Sequence, residues 1–186
     1  MADGSPDGRP HSAGADQTPA PRAEDRRELR GVLGSFATGI TVLTAGRELP
    51  RGMTANSFTS VSLDPPLVLV CVVRTAALHD LVLDEKAFAV SVLSADQEHL
   101  ARRFADRGRP RGAREFEAVD TEPGRRTGAP ILSGAVAWLE CSLEAVYDGG
   151  DHSILLGSVL DAGGDPGTDA LLFYRGGFHR LAPSTV

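Results

Sequence analysis

Residues 135–147 constrain this chain more than any other stretch. Ala137, Leu139, Cys141, Leu143 and Ala145 alternate with Trp138, Glu140, Ser142 and Glu144. A period of two places the first set on one face of a long strand and the second set on the other, so the segment needs a sheet around it and a core on one side. The rest of the chain supplies that sheet. Residues 67–73 (LVLVCVV), opened by Pro65 and Pro66, form a continuous apolar run, as expected of a strand buried on both faces. Residues 40–45, 88–93, 153–160 and 170–174 also read as strands, and 51–62 is extended in character but unusually polar.

Helical patterning is sparse. Leu29, Val32, Leu33 and Phe36 recur at i, i+3, i+4 and i+7, one face of a helix that Gly39 ends. Residues 75–83 form a short helix. Residues 94–105 open with Ser94 and Gln97, which fit a capping box, and carry Leu100 and Phe104 four apart. A doubly wound sheet needs a helix after almost every strand, and this chain lacks them. The pattern predicts a mainly β protein, a closed or nearly closed antiparallel barrel of about seven strands with a few short helices.

Residues 2–28 contain no Val, Ile, Leu, Phe, Tyr or Trp. Such a segment buries too little apolar surface to offset its ordering entropy. We therefore expect a disordered tail over 1–26, one domain over 27–182 and a short tail over 183–186. The net charge of −6 argues against wrapping nucleic acid, which needs a basic face. No apolar run approaches the ~20 residues of a membrane span, and no basic-then-apolar signal pattern opens the chain. Cys71 and Cys141 lie far apart, which disfavours a disulfide framework or a cysteine zinc site and points to a reduced, cytoplasmic protein.

Nucleophile, phosphate-loop and metal motifs are missing: no GxSxG, Walker A loop, HExxH or GxGxxG occurs. None of the five histidines stands at metal-ligand spacing from another His or Cys; His11, His79 and His99 read as surface residues. Residues 106–130 read as a loop whose six arginines fit an anion site or, more commonly, a solvated surface. Two segments depart from routine patterning. Residues 54–62 (TANSFTSVS) offer many hydroxyl and amide donors without charge, which suits either a ligand with carbonyl and ring-nitrogen edges or a plain solvated edge strand. In Gly149-Gly150-Asp151-His152 a two-glycine turn delivers an imidazole to a strand start, at a rim where a ligand could stack, although an unliganded Asp-His turn has the same sequence.

Several stretches in order resemble the flavin reductase family with the FMN-binding split-barrel fold. They are FATGITV at 36–42, GMTANSFTSVSLDPPLV at 52–68, FAVSVL at 88–93, ARRFA at 101–105, GAVAWLEC at 134–141, GDH at 150–152 and LFYRG at 172–176. The resemblance covers about residues 28–181. It implies an antiparallel split β-barrel and an NAD(P)H:flavin oxidoreductase that reduces free FMN or FAD with NADH or NADPH. It further implies a homodimer with the flavin near the subunit interface, and a separate flavin-dependent monooxygenase that receives the reduced flavin.

Residue by residue, the resemblance places Thr54, Ala55, Asn56 and Ser57 along the flavin ring. Ser60, Val61 and Ser62 become a turn near its ribityl chain and phosphate, with Thr38 and Thr41 in a first strand approaching the cofactor. Arg74 is the candidate for the phosphate charge and His152 for the nicotinamide nucleotide. Ser91 stands where the family often has Asn, which bears on flavin contacts. Hydride transfer between two cofactors needs no acid–base dyad from the protein, in keeping with the missing motifs. A chain of net negative charge would not attract two anionic ligands from a distance, so local donors must hold them, with modest flavin affinity. Two other readings are a flavin-binding split barrel without turnover, which would not need the Gly150-Asp151-His152 turn, and a pyridoxine phosphate oxidase, which the lack of a dense Arg/Lys pocket in the barrel strands disfavours.

Overall fold

The computed structural model describes residues 22–110, 112–165 and 167–181. Residues 1–21 and 182–186, which hold most of the two expected tails and His11, lie outside the described residues. In chain order the elements are α1 (Ala23–Leu33), β1 (Thr38–Gly39), β2 (Thr41–Ala45), β3 (Arg51–Ala55), β4 (Thr59–Leu63), β5 (Pro66–Val73), α2 (Ala77–Glu85), β6 (Ala87–Val92), α3 (Glu98–Ala105), β7 (Thr121–Pro123), β8 (Pro130–Leu132), β9 (Ala137–Gly149), β10 (His152–Gly164), β11 (Leu172–Tyr174) and β12 (Gly177–His179). No helix among the described residues is long and apolar enough to cross a membrane.

Seven strands form one antiparallel sheet in the order β3-β2-β6-β9-β10-β5-β4. The sheet curls so that β3 returns to β5, where the Ser57 hydroxyl accepts from the Cys71 N–H at 3.0 Å and donates to the Cys71 carbonyl at 3.1 Å. That seam closes a split barrel and leaves β4 as its outer edge. The strand inferred from alternation, β9, is the spine: it pairs with β6 on one side and with β10 over its whole length on the other.

The barrel interior is packed by Leu43, Val70, Val72, Phe88, Val90, Cys141 and Leu155, with Leu78 and Val82 of α2 added to the same cluster. A second cluster lies on the other side of β2, where Val42, Leu93, Leu100, Phe104, Leu132 and Leu171 bring in α3 and the chain around β8 and β11. Strand β2 is buried along its full length because it serves both. Each fully buried side chain of this size contributes about 1.5–3 kcal/mol relative to exposure.

Several expectations need correction. Helix α1 begins at Ala23, inside the segment read as a tail, and ends at Gly34 rather than Gly39. Its apolar positions are exposed, as is Phe36 beyond its end, at 78%. Residues 51–62 are two strands, with Asn56, Ser57 and Phe58 between them, and Ser60–Ser62 lie in β4 rather than in a turn. The arginine-rich 106–130 segment contains a 3-10 turn (Gly112–Phe116) and the short β7–β8 ladder. Glu140, expected on the outer face of β9, is fully buried: its Oε1 accepts from the Arg126 N–H, the Thr127 N–H and the Thr127 hydroxyl at 2.7–3.0 Å.

Candidate functional site

A cleft of about 710 Å³ opens beside the β3–β5 seam. Its floor is β3 from Arg51 through Ala55, continuing into Asn56 and Ser57. One wall is the end of β5 and the start of α2, from Cys71 to Asp80; another is the end of α3 with Phe104, Arg107 and Arg109; the Asp151-His152 turn completes the rim. The volume falls within the range of organic-ligand and cofactor sites.

Thr54, Ala55, Asn56, Ser57, Arg74 and His152 all line this cleft, so two segments singled out in the sequence meet in space. The hydroxyls there are not all available. Thr54 Oγ1 donates to the Ala101 carbonyl at 2.7 Å and anchors α3, while Ser57 Oγ is occupied by the Cys71 backbone. An uncharged alcohol lining is therefore an incomplete description, because the barrel uses these groups to hold its own strands. Asn56 keeps its amide for the cleft among the described residues.

The remaining predicted residues lie elsewhere. Thr38 pairs with Phe173 through β1, and its hydroxyl is buried without a partner among the described residues. Thr41 is buried and donates to the Ala55 carbonyl at 2.9 Å, one step behind the floor. Ser91 is fully buried and accepts from the Leu132 N–H at 3.0 Å, so it braces β8. Ser60, Val61 and Ser62 sit on the exposed edge strand β4, outside the cleft lining.

The hairpin turn between β9 and β10 explains the position of His152. Gly150 has φ +77°, a left-handed conformation that L side chains rarely adopt. His152, two residues on, lines the cleft, with Nδ1 2.7 Å from Asp151 Oδ1. That contact holds the Asp151 carboxyl below its ordinary value, through the hydrogen bond first and the imidazole charge second. Arg74 lies beside it: its N–H meets the Asp151 carbonyl, its Nε donates to the His152 carbonyl at 3.2 Å and its terminal nitrogen to Asp148 at 3.0 Å. Behind them Ser153 Oγ, His79 and Asp80 form a hydrogen-bonded line with spacings of 2.9 and 3.2 Å. Ser153 is 2% exposed, so this line braces α2 against β10 and presents no nucleophile.

Beyond Arg74, sequence reasoning named no individual arginine of this cleft. Arg30, Arg51, Arg74, Arg107 and Arg109 line the cleft together with the carboxylates Asp80, Glu115 and Asp151. An acidic chain thus concentrates positive charge at one place. The signal was present in the arginine-rich run just after α3: Leu100 and Phe104 bury on one face of that helix and return the following loop to β3. Gly52 permits this approach, since a Cβ there would meet the Phe104 ring at 2.6 Å.

The class the fold and site define is a split antiparallel barrel with a cationic, amide-bearing cleft of cofactor size at its seam. Residues 33–182 match the family model described as flavin reductase like domain, and the chain belongs to that family. It is 53% identical over 169 residues to an NADH-dependent FAD reductase of Streptomyces globisporus, covering 88% of this chain and 93% of that one. It is 35% identical to HsaB of Mycobacterium tuberculosis, the reductase subunit of a flavin-dependent monooxygenase, covering 86% and 84% of the two chains. Among solved structures, the NADH:FAD oxidoreductase SgcE6 of Streptomyces globisporus C-1027, in complex with NAD and FAD fragments, superposes with a TM-score of 0.83 at 50% identity, covering 88% of this chain and 96% of that one.

Proposed function

We propose that this chain is an NAD(P)H:flavin oxidoreductase that reduces free FMN or FAD and releases it to a separate flavin-dependent monooxygenase. The observation that carries the reading is the meeting of the 54–57 floor with Arg74 and His152 in one arginine-lined cleft, in a chain of the flavin reductase family. Bound together, the two cofactors supply the chemistry, a hydride passing from reduced nicotinamide to oxidised flavin. The protein's task is to bind, orient and shield.

In this reading Thr54–Ser57 form the shelf for the flavin ring, with the Asn56 amide and backbone groups as its hydrogen-bonding edge. Arg74 provides positive charge for a phosphate, with Asp148 keeping its guanidinium extended. His152, oriented by Asp151, meets the nicotinamide nucleotide. Thr41 acts from behind the floor, Ser91 through β8 and Thr38 through the β1–β11 pairing. Ser60, Val61 and Ser62 lie outside the cleft lining, and in this reading they meet the flavin of a second subunit in a homodimer. Leu63 on the β4 edge is 93% exposed, and the apolar face of α1 is also bare. Exposed apolar surface of this kind is what a subunit interface covers. Light scattering on the purified chain tests the dimer. A cytoplasmic location agrees with two free cysteines, one of them buried.

The experiment mixes purified protein with NADH and FMN in air, then repeats it with NADPH and FAD. Faster loss of reduced-nicotinamide absorbance than in the protein-free control is the expected result. If none of the four combinations exceeds the control, the oxidoreductase reading fails and a flavin-binding barrel without turnover takes its place.

A further inference from the structure

The reading above uses Arg74 and His152 and leaves a second charged region of the same cleft unassigned. It is organised by Glu115, which is 2% exposed. Its Oε1 accepts from the Gly52 N–H at 3.0 Å and from Arg109 Nε at 3.0 Å, and its Oε2 accepts from the Arg51 guanidinium at 3.1 Å. Burying a carboxylate is costly unless it is paired and hydrogen-bonded, and here it is both. One carboxylate between two guanidiniums leaves an excess of positive charge.

The two arginines differ in how much they have left to offer. Arg109 is fully engaged: beyond Glu115 it donates to the Asp106 carbonyl at 2.8 Å and to the Gly52 carbonyl, and it lies over the Phe104 ring. It is a structural strut. Arg51 gives Glu115 one nitrogen and, among the described residues, engages no other partner; its side chain is 26% exposed and lines the cleft. Arg30 and Arg107 line the cleft as well and form no ion pair among the described residues. A guanidinium already fixed on one side presents its remaining N–H groups in a set direction, matching the paired oxygens of a phosphate. Arg51 opens β3, six residues before Ser57, which is on the order of 20 Å of extended chain away from the seam.

Resting on the oxidoreductase reading, we infer that Arg51, held by Glu115 and supported by Arg107, is a diphosphate subsite that favours adenine dinucleotides over mononucleotides. Both FAD and NADH carry that linkage; FMN and reduced nicotinamide mononucleotide do not. The test uses the full chain and Arg51→Gln. It compares the FAD:FMN ratio of kcat/KM at saturating NADH, and the ratio for NADH over reduced nicotinamide mononucleotide at saturating flavin. A charged hydrogen bond lost at the subsite should lower one ratio about tenfold, with Arg51→Lys recovering part of it. A fall in the first ratio assigns the subsite to the flavin, a fall in the second to the electron donor, and a fall in both to a shared site. If neither ratio moves, whether or not FAD and FMN lose efficiency in parallel, the inference is overturned. Equilibrium binding of FAD and FMN, read by flavin fluorescence, gives the flavin ratio without turnover. A chain that turns over nothing therefore defeats the oxidoreductase reading, while unchanged binding ratios in such a chain for both FAD over FMN and NADH over reduced nicotinamide mononucleotide defeat the subsite.

Discussion

Ser57 and Cys71 are joined twice: one hydroxyl accepts from the Cys71 N–H and donates to the Cys71 carbonyl, at 3.0 and 3.1 Å. This side chain replaces a rung of backbone ladder where β3 and β5 meet, so the floor of the cleft and the closure of the barrel depend on the same group. Removing it strands a backbone N–H and C=O. We predict that Ser57→Ala lowers unfolding free energy by about 1–2 kcal/mol and raises the KM for flavin. Denaturant melts with and without FMN check this; an unchanged midpoint would separate the seam from stability.

His152 and Asp151 give a second prediction. His152→Ala should weaken use of reduced nicotinamide severalfold or more while leaving flavin binding largely intact. Equal loss of both would assign His152 to the fold or the flavin. The same variant should raise the Asp151 titration midpoint, because the imidazole holds that carboxyl below its ordinary value. Carboxyl chemical shifts followed against pH report the change directly, and a midpoint that stays put would contradict the observed contact.

The two thiols should behave differently. Burial, with the neighbouring Glu140 charge, pushes the Cys141 thiol up to about 12, and it has no solvent access. Cys71 lines the cleft and is partly exposed. At pH 8 one thiol per native chain should react with a chromogenic disulfide, and saturating FMN should slow it. Two thiols reacting at one rate, or no protection by flavin, would count against the placement of the cleft.

Glu140 provides a pH prediction. Its burial raises the carboxyl's pKa, but the hydrogen bonds from Thr127, Arg126 and Arg125 outweigh that and leave it lowered. A group whose folded value is depressed stabilises the fold above its unfolded value and loses that contribution as pH falls through the folded one. Glu140→Gln should therefore be less stable than the parent at neutral pH by about 1–2 kcal/mol, and the gap should narrow below the ordinary carboxylate value of 4.5. Thermal melts from pH 7 to pH 3 measure it.

The barrel was legible because strand periodicity is a local property. The alternation at 137–145 and the apolar run at 67–73 each required a sheet. The first became the central strand β9, whereas the second became β5 beside the edge strand β4. In β5 Val68, Val70 and Val72 are buried and Leu67, Leu69, Cys71 and Val73 only half-buried, so the expectation of burial on both faces is corrected. What local pattern could not supply was partnership. Leu29, Val32 and Leu33 have helical spacing, yet no element among the described residues covers them. Glu140 alternates as an outward residue, but the 124–127 turn folds over it. At the site, Thr54 and Ser57 line the cleft, while their hydroxyls are bonded to the Ala101 and Cys71 backbone. Thr41 braces the floor from behind and Ser91 braces β8. The cationic lining was hidden because Arg51 and Arg107–Arg109 are separated by some fifty residues of sequence, and only the packing of Phe104 over Gly52 brings them together.

The most direct test is a crystal structure of the protein with FAD bound. The account predicts isoalloxazine density lying along Thr54–Ser57, within reach of Arg74 and below His152. Ring density at any other surface, with that shelf left to solvent, would contradict it.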